Sequence, residues 1–109
     1  MDNVPHSRAI VPFNGLTPSQ AERLAILAEE ANELAQAAMK ILRHGYESVN
    51  PDKPEDGTNR FQLEREFAQV QGTFHAMKDR GDVRIPGVHV AMRAWEAKLR
   101  YCHHQGDPR

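Results

Sequence analysis

Three glutamates, Glu29, Glu30 and Glu33, stand close together in the middle of a long helical stretch. At 100° per residue they share one arc of the helix, with Glu30 nearest the apolar edge and Glu29 furthest from it. Lys40 and Arg43 continue the same line two to three turns later. A further acid, Glu66, borders the apolar stripe of the next predicted helix. If the two helices pack antiparallel, Glu30, Glu33 and Glu66 converge on one point. Carboxylates gathered beside apolar surface repel one another unless a cation compensates. A hard divalent ion such as Mg²⁺ takes oxygen ligands, keeps some waters and bridges to phosphates. The pattern therefore points to acids for a metal and two cations for a phosphate tail. A lone Glu-x-x-Glu is usually a solvated helix face; the apolar neighbours of Glu30 and Glu66 and the following cations set this one apart.

The elements that must position these residues can be read in order. Thr17-Pro18-Ser19-Gln20 is a helix start, with Thr17 as N-cap, Pro18 in the first turn and Gln20 closing a capping box. The helix runs to about Arg43, with Leu24, Leu27, Ala31, Leu34, Ala38 and Ile41 in one apolar arc, and Gly45 stops it. Tyr46 to Thr58 is rich in Pro, Gly and turn formers, a loop long enough in so small a domain to suggest a function. A second helix is predicted from Asn59 to Asp79, with the stripe Leu63, Phe67, Val70, Phe74 and Met77. After a link broken by Pro86, a third is predicted from Val88 to Tyr101, burying Ala91 or Met92, Trp95, Leu99 and Cys102. Residues 1–16 read as an irregular N-terminal arm that either docks Ile10, Val11 and Phe13 on a neighbouring helix or subunit or frays as a tail. Residues 17–102 form a single helical domain, and 103–109 a flexible tail.

Composition narrows the setting. With 109 residues, 39% hydrophobic and only 6% aromatic, one chain has a thin core. The expected fold is all-α, an antiparallel helical bundle of about three helices completed by oligomerisation. A net charge of −1 gives no general attraction to nucleic acid or to an anionic membrane, so anion binding must be local. Cys102 is the single cysteine, which excludes an intrachain disulfide and suits a reducing cytoplasm. No apolar run approaches membrane-spanning length, and the N-terminus lacks a signal-peptide pattern. Other candidates for chemistry are weaker: Cys102-His103-His104 lies at a helix end and points apart, and His75 falls opposite its helix's apolar stripe.

The run Leu27-Ala28-Glu29-Glu30-Ala31-Asn32-Glu33-Leu34 resembles the Glu-Glu-x-x-Glu-Leu signature of the MazG-like nucleoside triphosphate pyrophosphohydrolases. That all-α family carries Glu-x-x-Asp on a second helix, and here the corresponding stretch is Glu66-Phe67-Ala68-Gln69. Lys40-Ile41-Leu42-Arg43-His44-Gly45-Tyr46, Asn50-Pro51 and Thr58-Asn59-Arg60 are similar to small phage-type members. The resemblance covers about residues 20–80.

The resemblance implies hydrolysis of a (d)NTP at the α-phosphorus to a (d)NMP and pyrophosphate, with Mg²⁺, or Mn²⁺, as cofactor. Glu30, Glu33 and Glu66 would hold the metal, with Gln69 offering a carbonyl oxygen where the family has aspartate. Glu29 would serve a second metal or orient the water, completing a catalytic set of Glu29, Glu30, Glu33 and Glu66. Lys40 and Arg43, with Arg60, would neutralise the phosphates, and Asn59 would contact base or sugar. The family also implies a homo-oligomer, dimer or tetramer, working in the cytoplasm (the host's, for a phage protein); some phage relatives supply dGMP, which makes (d)GTP the favoured substrate. Gln69 is the departure: it is neutral, so either Glu29 compensates, metal binding weakens, or the site binds nucleotides without turnover. A nucleotide-binding or regulatory module and a purely structural helical oligomer are the alternatives.

Overall fold

The computed structural model describes residues 13–109, so the docking expected of Ile10 and Val11 lies outside the described residues. The fold is all-α: three helices, α1 (Pro18–His44), α2 (Asn59–Asp79) and α3 (Val88–Lys98), with short 3₁₀ turns at Pro54–Asp56 and Leu99–Tyr101. Among the described residues there is no strand, only an isolated bridge between Val49 and Thr58. No helix among them is long and apolar enough to cross a membrane.

The local signals explain the boundaries. Thr17 Oγ1 accepts from Gln20 N at 3.1 Å while Gln20 Oε1 accepts from Thr17 N at 2.9 Å, the reciprocal box that satisfies two orphan donors. At the other end Gly45 adopts φ 87°, a conformation in which a Cβ would be strained. Its N–H donates to the Ile41 carbonyl at 2.7 Å. Thr58 caps α2 by accepting from Phe61 N at 3.1 Å.

α1 and α2 pack as an antiparallel hairpin, since contacts between them pair early positions of one with late positions of the other. Arg23 meets Asp82 just beyond α2, and Lys40 meets Gln62 near its start. The half-buried line of α1 is Arg23, Leu27, Glu30, Leu34, Ala37 and Ile41, spaced by three or four residues. Against it α2 sets Gln62, Leu63, Glu66, Val70, Phe74 and Met77. The seam is thus mixed, with polar side chains in positions that an ordinary hairpin fills with aliphatics. Met77, 1% exposed, is the only apolar side chain classed as buried among the described residues.

Two sequence expectations need correction. The apolar arc of α1 is wider than one partner helix can cover, so Leu24 stays 41% exposed and Ala31 and Ala38 are exposed as well. The third helix ends its α-helical part at Lys98 and packs closely against neither α1 nor α2. Met92, Trp95 and Leu99, expected to be buried, are exposed, while Cys102 is half-buried and donates from Sγ to the Lys98 carbonyl at 3.3 Å. Phe13 is fully exposed in the single chain. The tail forms a turn in which His104 Nδ1 lies 2.9 Å from Asp107 Oδ2.

The open end of the hairpin is closed by an ion pair. Gly81 at φ 83° lets the chain turn so that Asp82 N donates to the Met77 carbonyl at 2.9 Å. Arg23 Nε and Nη2 then donate to the two Asp82 carboxylate oxygens at 2.6 and 3.0 Å, the bidentate geometry that makes such pairs strong. The Arg23 guanidinium holds the Asp82 carboxyl below its ordinary range despite partial burial. A depressed carboxylate stabilises the fold above its unfolded pKa and loses that contribution as pH falls through the folded one. Asp82→Asn is therefore expected to lower the melting temperature by several degrees at neutral pH. The gap from the native chain should close as acid protonates Asp82, which thermal melts at stepped pH will check.

Candidate metal centre

The hairpin brings together the acids singled out by their spacing. Glu30 and Glu33 are one turn apart on α1 and so share a face; Glu66 approaches from α2 across the seam. One carboxylate oxygen from each lies within 4.8 Å of the others. Glu30 and Glu66 are half-buried and Glu33 is exposed. Glu29 is exposed and outside this convergence. The three acids present only oxygen donors, the ligand set a hard divalent cation requires, so this donor set fits Mg²⁺ or Mn²⁺ and would not suit a soft, thiophilic metal.

Gln69 sits among them. With its NH₂ turned towards the acids, Nε2 lies 2.8 Å from Glu66 Oε1 and 2.7 Å from Glu30 Oε2 and donates to both. The opposite orientation would press a carbonyl oxygen against two carboxylates, so the donor orientation satisfies the hydrogen bonds. The sequence reading gave Gln69 an oxygen for a metal. Beside the two carboxylates the nitrogen is the donor, and a half-turn of the amide brings the oxygen, the ligand atom expected of Gln69, to the same place.

The electrostatics show how incomplete this neutral bridge is. Glu30, then desolvation, then Glu66 and Glu29 push the Glu33 carboxyl above its ordinary range, and a hydrogen bond with Glu66 adds to the rise.

Two recesses flank Lys40. The acidic one, about 250 Å³, is lined by Glu33, Gln36, Ala37, Lys40, Gln62 and Glu66. The other, about 290 Å³, lies where α1 ends and the 46–58 loop folds back, and includes Lys40, Arg43, His44 and Asn59. Lys40 Nζ donates to Gln62 Oε1 at 3.0 Å, and Gln62 Nε2 donates to the Gly57 carbonyl at 3.3 Å. Gln62 is a residue the sequence reading missed. Its only signal was its place one turn before Glu66 on the face that turns inward.

Among protein-family models, curated proteins and solved structures, none matches the chain.

The remaining expected residues divide. Arg43 and Asn59 line the second recess with Lys40, whereas Arg60 lines neither. Its Nε and Nη2 donate to Glu47 Oε2 at 3.0 and 2.7 Å, and its guanidinium lies 4.4 Å from the Tyr46 ring centroid. Arg60 is a clasp on the loop, because a nearby carboxylate and an aromatic face already occupy its charge and its plane.

Glu33 yields a direct test. A carboxyl with a raised folded pKa contributes most to stability below its ordinary value and loses that contribution as pH rises through the raised one. Glu33→Gln, which removes the charge and keeps the shape, is expected to raise the melting temperature of metal-free protein at neutral pH. The gain should vanish in acid, and a loss at neutral pH would contradict the repulsion described here.

Proposed function

We propose that this chain is a divalent-cation-dependent nucleoside triphosphate pyrophosphohydrolase of the MazG-like kind, converting a (d)NTP to a (d)NMP and pyrophosphate. The observation that carries this reading is the convergence of Glu30, Glu33 and Glu66 from two helices within 4.8 Å. Lys40, which lines the acidic recess, supports it further. The likeness of residues 27–34 to that family's acidic signature agrees with the geometry.

In this reading Glu30, Glu33 and Glu66 hold Mg²⁺ or Mn²⁺. When bound, the cation would supply Lewis-acid stabilisation of phosphate charge and a more acidic water. The chain's own residues do the rest. Lys40, between the two recesses, neutralises phosphate oxygens, and the exposed Arg43 adds a second positive charge about one turn away. Glu29 lies outside the convergent set and is left to orient solvent or a second ion. Gln69 links Glu30 and Glu66 by donating one amide N–H to each.

The reading includes a homo-oligomer, dimer or tetramer, in the cytoplasm. Met77 is the sole apolar side chain classed as buried among the described residues, too small a core for a stable chain of this length. The radius of gyration is 19.6 Å, against about 13 Å for a compact domain of this size. Exposed Leu24, Phe67 and Trp95 are surface for a second copy to cover. (d)GTP is the favoured substrate, on family resemblance alone. A second reading, nucleotide binding without turnover, is favoured by one feature: Gln69 contributes no negative charge where the resemblance expects aspartate.

Pyrophosphate release with the eight common NTPs and dNTPs, with and without Mg²⁺, tests the reading. Turnover lost on chelation is expected, with Glu30→Gln lowering it on the order of 100-fold or more. No release with any nucleotide would sink the enzyme reading. Gln69→Asp is expected to lower the melting temperature of metal-free protein, since it adds a charge and removes two donors, and to tighten Mg²⁺ binding measured by calorimetry.

A further inference from the structure

The third helix takes no part in the metal chemistry, and it lies beyond residues 20–80, where the family resemblance ends. Val88, Met92, Trp95 and Leu99 follow one another at four, three and four residues, which sets them on one face of α3 and of the turn that ends it. Arg93 and Arg100 fall on the other side. In the single chain this apolar face is bare. The four side chains are 78, 50, 45 and 38% exposed, and α3 packs closely against neither α1 nor α2. A short amphipathic helix draws most of its stability from packing that face, so α3 calls for a partner.

α1 offers a matching surface. Its inner line faces α2, but Leu24, Ala28, Ala31, Ala35, Ala38 and Leu42, again three or four residues apart, form a second apolar face about a quarter of a turn round. All six are exposed, so α2 leaves this face uncovered. Its middle is alanine, with room for the bulky side chains of α3, the large-against-small pairing that lets helices interdigitate. The charges match as well. Residues 84–109 carry five Lys or Arg against two acids, whereas residues 1–83 carry nine against thirteen. The first half of α1 holds Glu22, Glu29, Glu30 and Glu33 against Arg23 alone. A basic α3 is therefore drawn towards an acidic α1. Area sets the scale. The chain exposes 9006 Å², about 2,900 Å² more than the roughly 6,100 Å² of a compact monomer of 12.3 kDa. That excess more than covers the roughly 1,000–2,500 Å² that an obligate interface takes from each partner.

We infer that α3 of one chain docks on the outer apolar face of α1 in a second copy, with Trp95 seated over its alanines. A second copy is the occupant because the chain itself carries the complementary face and charge, while its own hairpin does not receive α3. Exchange of α3 between two copies is self-complementary and covers both bare faces in each chain. The inference rests on the homo-oligomer of the reading above, to which it gives a defined contact, and not on the nucleotide chemistry. Glu33 lies on the opposite side of α1 from the outer face, so docking leaves the acidic recess open.

The test uses the full chain without metal and reads Trp95, its single tryptophan, by fluorescence beside the mass from sedimentation equilibrium. The native chain is expected to be a dimer or larger, with Trp95 emission shifted to the blue. Ala28→Glu, on α1, is expected to reduce the mass to that of one chain and to shift the Trp95 emission to the red. Should Ala28→Glu also lose helical content, the contact is read without it. Chains with Met92→Cys and chains with Ala31→Cys, both carrying Cys102→Ser, are refolded together and treated with a short bis-maleimide, and a linked mixed pair is expected. A native chain that sediments singly, a native oligomer with red-shifted Trp95, or the absence of a mixed pair would overturn the inference. An oligomer whose mass and emission both survive Ala28→Glu would do so too, while leaving the homo-oligomer standing on another face. Emission that turns blue only with phosphatidylserine vesicles would make α3 a membrane-surface helix, again against the inference. Pyrophosphate release is measured on the same preparation: a mixed pair without turnover keeps the contact and removes the catalysis, and turnover without a mixed pair does the reverse.

Discussion

Packing α1 on α2 forces three carboxylates to share one short stretch of the seam. Glu30 and Glu66 occupy positions that face the partner helix, where aliphatic side chains would ordinarily contribute burial. Their oxygens and one from Glu33 fall within 4.8 Å of one another; the Gln69 amide bridges two of them, and Lys40 lines the recess beside Glu33 and Glu66. The repulsion is visible in the raised Glu33 carboxyl. A hairpin selected for stability alone would not retain this arrangement, since buried like charges destabilise and a neutral bridge offsets them only in part. The same seam spends further positions on Lys40, Gln62 and Asn59, which explains why so little apolar surface is buried within one chain.

Around this constraint the rest of the hairpin acts as a frame. At the open end the Arg23–Asp82 pair fixes the turn after α2 against α1. At the connected end, main-chain bonds from Asn59 N to the Ser48 carbonyl at 2.9 Å and from Arg60 N to the Tyr46 carbonyl at 2.8 Å lay the loop back on α2. The exposed Glu47–Arg60 pair adds little energy of its own, yet with the Tyr46 ring it sets the direction in which the loop leaves α1. The acids and the basic recess are therefore held at opposite sides of Lys40 by different sets of contacts. A ligand that joins them meets a largely preformed surface.

Much of this was legible in the sequence because it depends on short-range chemistry. The Thr17–Gln20 box, the stop at Gly45 and the span of α2 follow from caps and periodicity, and the meeting of Glu30, Glu33 and Glu66 follows from two helical faces and one antiparallel turn. What could not be read depends on pairing across the fold. Arg60 looked free until Glu47 and Tyr46 were brought to it by the loop. Nothing in the pattern showed that Asn59 is buried, with its amide nitrogen on the Gly45 carbonyl. Gln69 was assigned an oxygen because its type permits one, and only the positions of Glu30 and Glu66 select its nitrogen. A wheel gives the width of an apolar arc but not how much of it a neighbour covers, so Leu24, Ala31 and the third helix were assigned more burial than a single chain provides.

The central claim is that the acidic seam is built for a divalent cation, and Mn²⁺ binding followed by electron paramagnetic resonance tests it most directly. The free-ion signal reports binding without requiring turnover or knowledge of the substrate. The account predicts that the native chain removes Mn²⁺ from solution saturably, that excess Mg²⁺ releases it, and that Glu30→Gln abolishes the effect while the helical content stays unchanged. A native chain that leaves the free Mn²⁺ signal intact at neutral pH would contradict the account, because the three carboxylates would then be a repulsive cluster without a cation to justify it.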